Sequence, residues 1–182
     1  VSFLIKIAEA LGAAVFEMRP CYMNFPCSHP LHQGFFSDNA SMMKQYLQSS
    51  DLVITLDCFY PPEINTGLYI QVSDNPLAFN ENADYAIFST TEAFLQALNN
   101  NLGDISPQTD RINVLRSRHK AIRTEWLNLL KQRFNDDPPS PQRIWFEINQ
   151  VFNHGQDHII FFAPAFTQRL SVLRYLERDT PG

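Results

Sequence analysis

A chain of 182 residues that is 45% hydrophobic and 18% charged is long enough to bury a core and too apolar to be disordered. Its net charge of −5, with fourteen Lys and Arg spread along the chain apart from a modest cluster at Arg111 to Lys120, argues against a surface that tracks nucleic-acid phosphates. Three cysteines give no disulfide framework and fit a reducing, cytoplasmic setting, and no segment reaches the ~18 to 20 apolar residues needed to span a bilayer.

VSFLIKIAEALG starts in the middle of a helical pattern. Phe3, Leu4, Ile7, Ala8 and Leu11 share one face of a helix over Ser2 to Leu11, and Gly12 stops it. No cap precedes that helix, and the other end stops on a Pro-Gly turn, so the chain is expected to be a piece of a longer protein with a strand before Val1. AAVFE reads as a short strand, followed by the Pro-rich loop MNFPCSHPLHQG (23–34). Asp38 or Asn39 can cap a helix to about Leu47, with Met42, Met43, Tyr46 and Leu47 on its apolar face.

Three apolar runs follow, DLVITLDCF (51–59), LYIQVS (68–73) and DYAIFS (84–89), each with the composition of a strand buried on both faces. Ser89 with Glu92 three residues on reads as a capping box, opening TTEAFLQALNN as a helix that closes near Gly103. Residues 104–109 read as a linker and Asp110 to Phe134 as a long helix. NDDPPSP breaks the chain, and Ser140–Pro141 starts another helix. DHIIFFA (157–163) is a further buried strand and Thr167 to Leu176 a further helix.

This alternation predicts an α/β fold: a Rossmann-like parallel sheet with helices on both faces, followed by an incomplete second α/β unit. The corresponding divisions are a first domain over 1–104, a linker with its long helix over 105–139, and the truncated second unit over 140–182.

Chemical motifs are sparse. None of the six glycines falls in a GxGxxG or GxxxxGK phosphate loop. Cys21, Cys27, His29 and His32 have metal-ligand side chains, but C-x5-C-x-H-x2-H does not match the usual zinc spacings, and the prolines restrict convergence of four ligands. The loop is therefore expected to be a stiff structural crossing with no metal. His119 lies on a basic, polar stretch and is expected to be solvated, and His154 and His158 flank a turn. Asp57 stands at the end of a strand, where open parallel sheets bind ligands, so Asp57, Cys58 and Phe59 would face that crevice. A capping or turn aspartate is the alternative.

Taken in order, IAEALGAAVFE (7–17), MNFPCSHPLHQGFF (23–36), DLVITLDCF (51–59), YIQVSDNP (69–76) and DYAIFSTTEAFLQAL (84–98) resemble the central domain of thiamine-diphosphate-dependent enzymes, in the benzoylformate decarboxylase and acetolactate synthase group. SPQRIWFEINQVF (140–152), IIFFA and the helix after it resemble the start of that family's pyrophosphate-binding domain. The resemblance implies a fragment of a 2-oxo acid decarboxylase or carboligase, not catalytic alone. Thiamine diphosphate and Mg²⁺ would be bound only in the parent enzyme, which would be a homodimer or homotetramer. The activating glutamate would lie before Val1 and a GDG…N motif beyond Gly182.

Two departures stand out. CFYPPEINTG has no histidine where relatives can present one, and APAFTQRL puts Pro164 where relatives place a glutamate, leaving Thr167 as the only hydroxyl. They imply a divergent substrate range or a non-catalytic scaffold or regulatory domain. Some relatives bind FAD or ADP in the central domain. By that likeness Asp57, Ser73 and Asp74 would line the crevice and Thr167 the diphosphate side, although the missing glycines count against a nucleotide.

Overall fold

The computed structural model of the chain describes residues 1–18, 20, 24–35, 40–59, 61, 63, 64, 67–103, 105–152, 169–177 and 179. The elements run α1 (Ser2–Leu11), β1 (Val15–Glu17), β2 (His32–Phe35), α2 (Ala40–Ser49), β3 (Leu52–Leu56), β4 (Leu68–Ser73), β5 (Tyr85–Phe88), α3 (Thr91–Asn101), α4 (Thr109–Gln132), α5 (Pro141–Phe152) and α6 (Arg169–Tyr175). Every described strand pair is parallel, β1 with β2 and β3–β4–β5 in chain order. The fold is the expected Rossmann-like α/β arrangement.

Local chemistry accounts for the element ends. Gly12 closes α1 in the left-handed conformation at φ 58°, where its N–H reaches the Ala8 and Glu9 carbonyls. A Cβ there would also lie 3.0 Å from that of Gln108 and 3.1 Å from that of Arg111, so the missing side chain lets the start of α4 approach. Ser140 links two helices: its hydroxyl accepts the Arg143 N–H at 3.3 Å and donates to the Arg133 carbonyl at 2.9 Å, with Pro141 opening α5.

The cap of α3 is Thr90 rather than Ser89. Thr90 Oγ1 accepts the Ala93 N–H at 3.3 Å, whereas the Ser89 N–H still extends the β4–β5 ladder to the Ser73 carbonyl at 3.1 Å. Sheet pairing thus shifts the helix start by one residue.

β2 was not expected, because HQGF carries two polar residues and a glycine. It forms because those groups find partners inside. Gln33, 1% exposed, donates from Nε2 to the Pro30 carbonyl at 3.0 Å and the Leu115 carbonyl at 3.1 Å, and its Oε1 accepts from the Tyr46 hydroxyl at 3.3 Å. β4 is buried as expected except at Leu68, which is 40% exposed, whereas β3 is only half-buried, with Leu52 exposed. β5, at the outer edge of the three-stranded sheet, leaves Tyr85 and Phe88 exposed. The 157–163 strand, both cap candidates Asp38 and Asn39, and Cys21, His154, His158, Pro164 and Thr167 lie outside the described residues.

Two apolar clusters hold these layers together. One contains Ala8, Phe25, Leu31 and Leu115; the other contains Cys27, Phe35, Trp126, Leu130, Trp145, Leu173 and Tyr175. α4 supplies residues to both, so the long helix packs against the crossing loop and β2 on one side and against α5 and α6 on the other. The Tyr175 hydroxyl donates to the Trp126 carbonyl at 2.8 Å, pinning α6 to α4. No helix among the described residues is long and apolar enough to cross a membrane.

Candidate functional site

The carboxyl ends of β3 and β4 meet the start of α3 at one crevice. Asp57 directly follows β3 and holds a left-handed backbone, φ 47°, unusual for a residue with a side chain. Its N–H extends the ladder to the Val72 carbonyl at 2.9 Å. Ser73 Oγ donates to Asp57 Oδ1 at 3.1 Å and accepts the Asn75 N–H at 3.1 Å, while Thr91 Oγ1 donates to Asp57 Oδ2 at 2.5 Å. Two of the sequence candidates, Asp57 and Ser73, are therefore in direct contact. Asp74 follows Ser73 and is exposed. Thr91 was missed; being the third hydroxyl in STTE, opening a helix after a strand, was its only signal.

Gln71, fully buried in the middle of β4, supports the crevice from beneath. Its Nε2 donates to the Ala78 carbonyl at 2.5 Å and its Oε1 accepts the Asn80 N–H at 2.8 Å, tying the loop after β4 to the sheet. This polar residue inside an apolar run is what fixes the crevice wall.

The two hydroxyls are poorly placed to seat a phosphate. Both hydroxyls that would face a phosphate point their protons at the Asp57 carboxylate. A phosphate seated on them would lie ~4 Å from that carboxylate, a repulsion of about 1 kcal/mol in bulk water and about 4 kcal/mol at a protein surface. Asp57 and Asp74 belong to no group of three or more metal-ligand side chains among the described residues.

The Cys/His loop divides into an outer and an inner part. His29 accepts the Leu31 N–H on Nδ1 at 3.2 Å, so its Nε2–H donates to Glu9 Oε1 at 3.3 Å, near the surface. His32 turns inward, its Nε2 3.2 Å from Glu17 Oε2, with His32 2% and Glu17 3% exposed. Glu17 Oε1 accepts the backbone N–H and the Nδ2–H of Asn24, each at 3.1 Å. Cys27 is buried beside them.

His119 is not solvated as expected. It is half-buried, and its Nδ1–H donates to the His32 carbonyl at 2.7 Å. Burial lowers its pKa; the bond to His32 opposes that, and the charges of His32, Arg123 and His29 add to the lowering. The lowered pKa favours the neutral ring, and the bond to a carbonyl places a proton on Nδ1.

No protein-family model matches the sequence, and a search of curated proteins finds no match. Fold and geometry together define a Rossmann-like α/β domain whose strand-end crevice is built around one aspartate and two hydroxyls.

Proposed function

We propose that the chain is the central α/β domain, with the linker helix and the opening of the pyrophosphate-binding domain, of a thiamine-diphosphate-dependent 2-oxo acid decarboxylase or carboligase. It is not catalytic by itself. The observation that carries this reading is the ordered likeness of five segments, which fall in turn on α1–β1, the crossing loop and β2, β3, β4, and β5–α3. Within the loop, Phe25 is fully buried and Gly34 has φ 96°, so residues that carry the likeness also serve the fold. On this reading the domain is a rigid spacer in a cytoplasmic homodimer or homotetramer that takes a small 2-oxo acid, without nucleic-acid or membrane partners.

The test is the surrounding reading frame, expressed whole with thiamine diphosphate and Mg²⁺ and assayed for CO₂ release from benzoylformate, pyruvate and related acids. The expected result is turnover by the whole protein, a GDG…N segment downstream of Gly182, and none of either activity or cofactor binding by residues 1–182. A frame lacking that segment sinks the proposal.

A second reading is a non-catalytic scaffold or regulatory domain of the same fold. It is favoured by the self-contained crevice, in which Asp57 takes up both hydroxyls. Turnover of any 2-oxo acid by the whole protein would exclude it.

A further inference from the structure

We infer that Glu17, Cys27 and His32 form a buried site for one zinc-class divalent transition-metal ion, which clips β1, the crossing loop and β2 together. This set differs from the four-residue Cys/His pattern read along the loop. It keeps Cys27 and His32, leaves His29 with Glu9 at the surface, and gains a carboxylate from the neighbouring strand.

The geometry is that of ligands around one ion. A carboxylate oxygen, a sulfur and an imidazole nitrogen lie within 4.8 Å of one another, all on buried residues. Glu17 Oε2 and His32 Nε2 are 3.2 Å apart. Zinc bonds of 2.0–2.2 Å to nitrogen and oxygen place two tetrahedral ligands about 3.4 Å apart, and a thiolate about 3.6 Å from either. The nitrogen and oxygen already stand near that spacing, and the sulfur, at most 4.8 Å from either, needs up to ~1.2 Å of closing.

Charge and support agree with the distances. A dication bound to a carboxylate, a thiolate and a neutral imidazole makes a neutral buried cluster, which offsets the cost of burying Glu17. Mixed N, O and S donors select zinc-class ions over Mg²⁺ and Ca²⁺, which take oxygen-only shells. The two Asn24 bonds to Glu17 Oε1 orient the carboxylate and leave Oε2 facing His32, the outer support that metal ligands require. Three protein ligands leave the fourth position to a water, the coordination of an open zinc site, but burial of all three residues keeps substrates out, so the ion's role here is to clip the fold.

The experiment uses the 182-residue chain, stripped with chelator, reloaded with Zn²⁺ or Co²⁺, dialysed and measured by elemental analysis and absorption. The expected result is one metal per chain, and for Co²⁺ a near-ultraviolet thiolate-to-cobalt charge-transfer band with the visible bands of a tetrahedral ion. Cys27→Ser abolishes the charge-transfer band. Asn24→Ala weakens zinc binding about 10- to 100-fold. Cys58→Ser and His29→Gln change neither. Far-ultraviolet circular dichroism of each metal-free variant checks the fold; if Asn24→Ala or Cys27→Ser unfolds, the wild-type spectrum and Cys58→Ser decide. Failure of the wild-type chain to hold stoichiometric metal, leaving only a hydrogen-bonded Glu–His pair, overturns the proposal. So does a charge-transfer band that survives Cys27→Ser or vanishes in Cys58→Ser.

Discussion

Replacing Asp57 separates two opposing effects at the crevice. The left-handed backbone at φ 47° is costly for a residue with a Cβ, about 1–2 kcal/mol for alanine and less for aspartate. Against this, its carboxylate accepts hydrogen bonds from Ser73 and Thr91. Because Asp57 is exposed, each bond is screened and is assigned about 0.5–1 kcal/mol. Asp57→Gly loses both bonds but removes the backbone cost, for a net loss of about 0–1 kcal/mol. Asp57→Ala loses the same bonds and keeps a Cβ in the left-handed region, for a net loss of about 2–3 kcal/mol. The two variants differ only in that Cβ, so their gap of about 1–2 kcal/mol reads the left-handed backbone cost net of glycine's greater freedom in the unfolded chain. Urea unfolding of both, with equal slopes, reads the gap as a shift in midpoint; in thermal melts each kcal/mol corresponds to about 2–4 °C for a chain of this size. Ser73→Ala should cost about 0.5–1 kcal/mol less in the Asp57→Gly background than alone. An Asp57→Ala variant as stable as Asp57→Gly would refute the backbone assignment, and additive Ser73 and Asp57 changes would refute the hydrogen-bond assignment.

Three other outcomes are expected. Gly67→Ala should cost more than about 3 kcal/mol, because its Cβ would sit 2.4 Å from the Ser50 carbonyl oxygen at φ 73°, whereas Gly103→Ala, with nothing within 4 Å at φ 63°, should cost only about 1 kcal/mol; urea midpoints of the pair test the order. Trp126→Ala should cost about 3–5 kcal/mol by removing a buried ring stacked on Phe35 at 6.0 Å, measured by chemical denaturation. The Tyr69 pKa is raised above 10.0 by burial, against the lowering effect of its hydrogen bond to Thr55, with Cys58 adding to the rise. The unfolded chain therefore loses this proton first, so stability is full below pH 10 and falls as pH rises toward the folded pKa; Tyr69→Phe should remove that alkaline loss in unfolding curves taken across the range.

Elements whose signals are local were legible in the sequence. α1 and β4 have the expected bounds, Gly12 and the Ser140–Pro141 pair act as read, and the alternation gave the parallel α/β class. What escaped depends on partners far along the chain. β2 is stabilised by contacts of Gln33 with Leu115 and of His32 with His119, neither visible in a window around HQGF. The α3 cap moved because Ser89 is held by the sheet, a tertiary claim on a residue with good capping propensity. At the crevice, Asp57 was identified by its position after a strand, but its left-handed backbone was not, since aspartate does not announce that conformation as glycine would. Glu17 carries no zinc signal in the sequence, because metal spacings are recognisable as Cys and His pairs, and a carboxylate ten residues before Cys27 joins them only once β1 and β2 pair.

The distribution of polar partners locates the chain's capacity for a ligand. At the strand ends, a residue with an unfavourable backbone is held where a glycine would be free of strain, and its side chain takes the two hydroxyls into internal bonds. That arrangement closes the crevice on itself. Such a site repels phosphate and offers no unfilled donor from Ser73 or Thr91, which weighs toward a structural role for the sheet edge in either functional reading. Beneath the crossing loop the polar groups are buried and chemically unlike one another. An acid, a thiol and an imidazole sharing one small buried space supply the mixed donor set that a dication would bridge, which two hydroxyls and a carboxylate do not. The loop that reads as the least regular part of the sequence is therefore where an ion would do most for the fold, because it fastens the irregular crossing between two strands too short to hold it by backbone pairing alone.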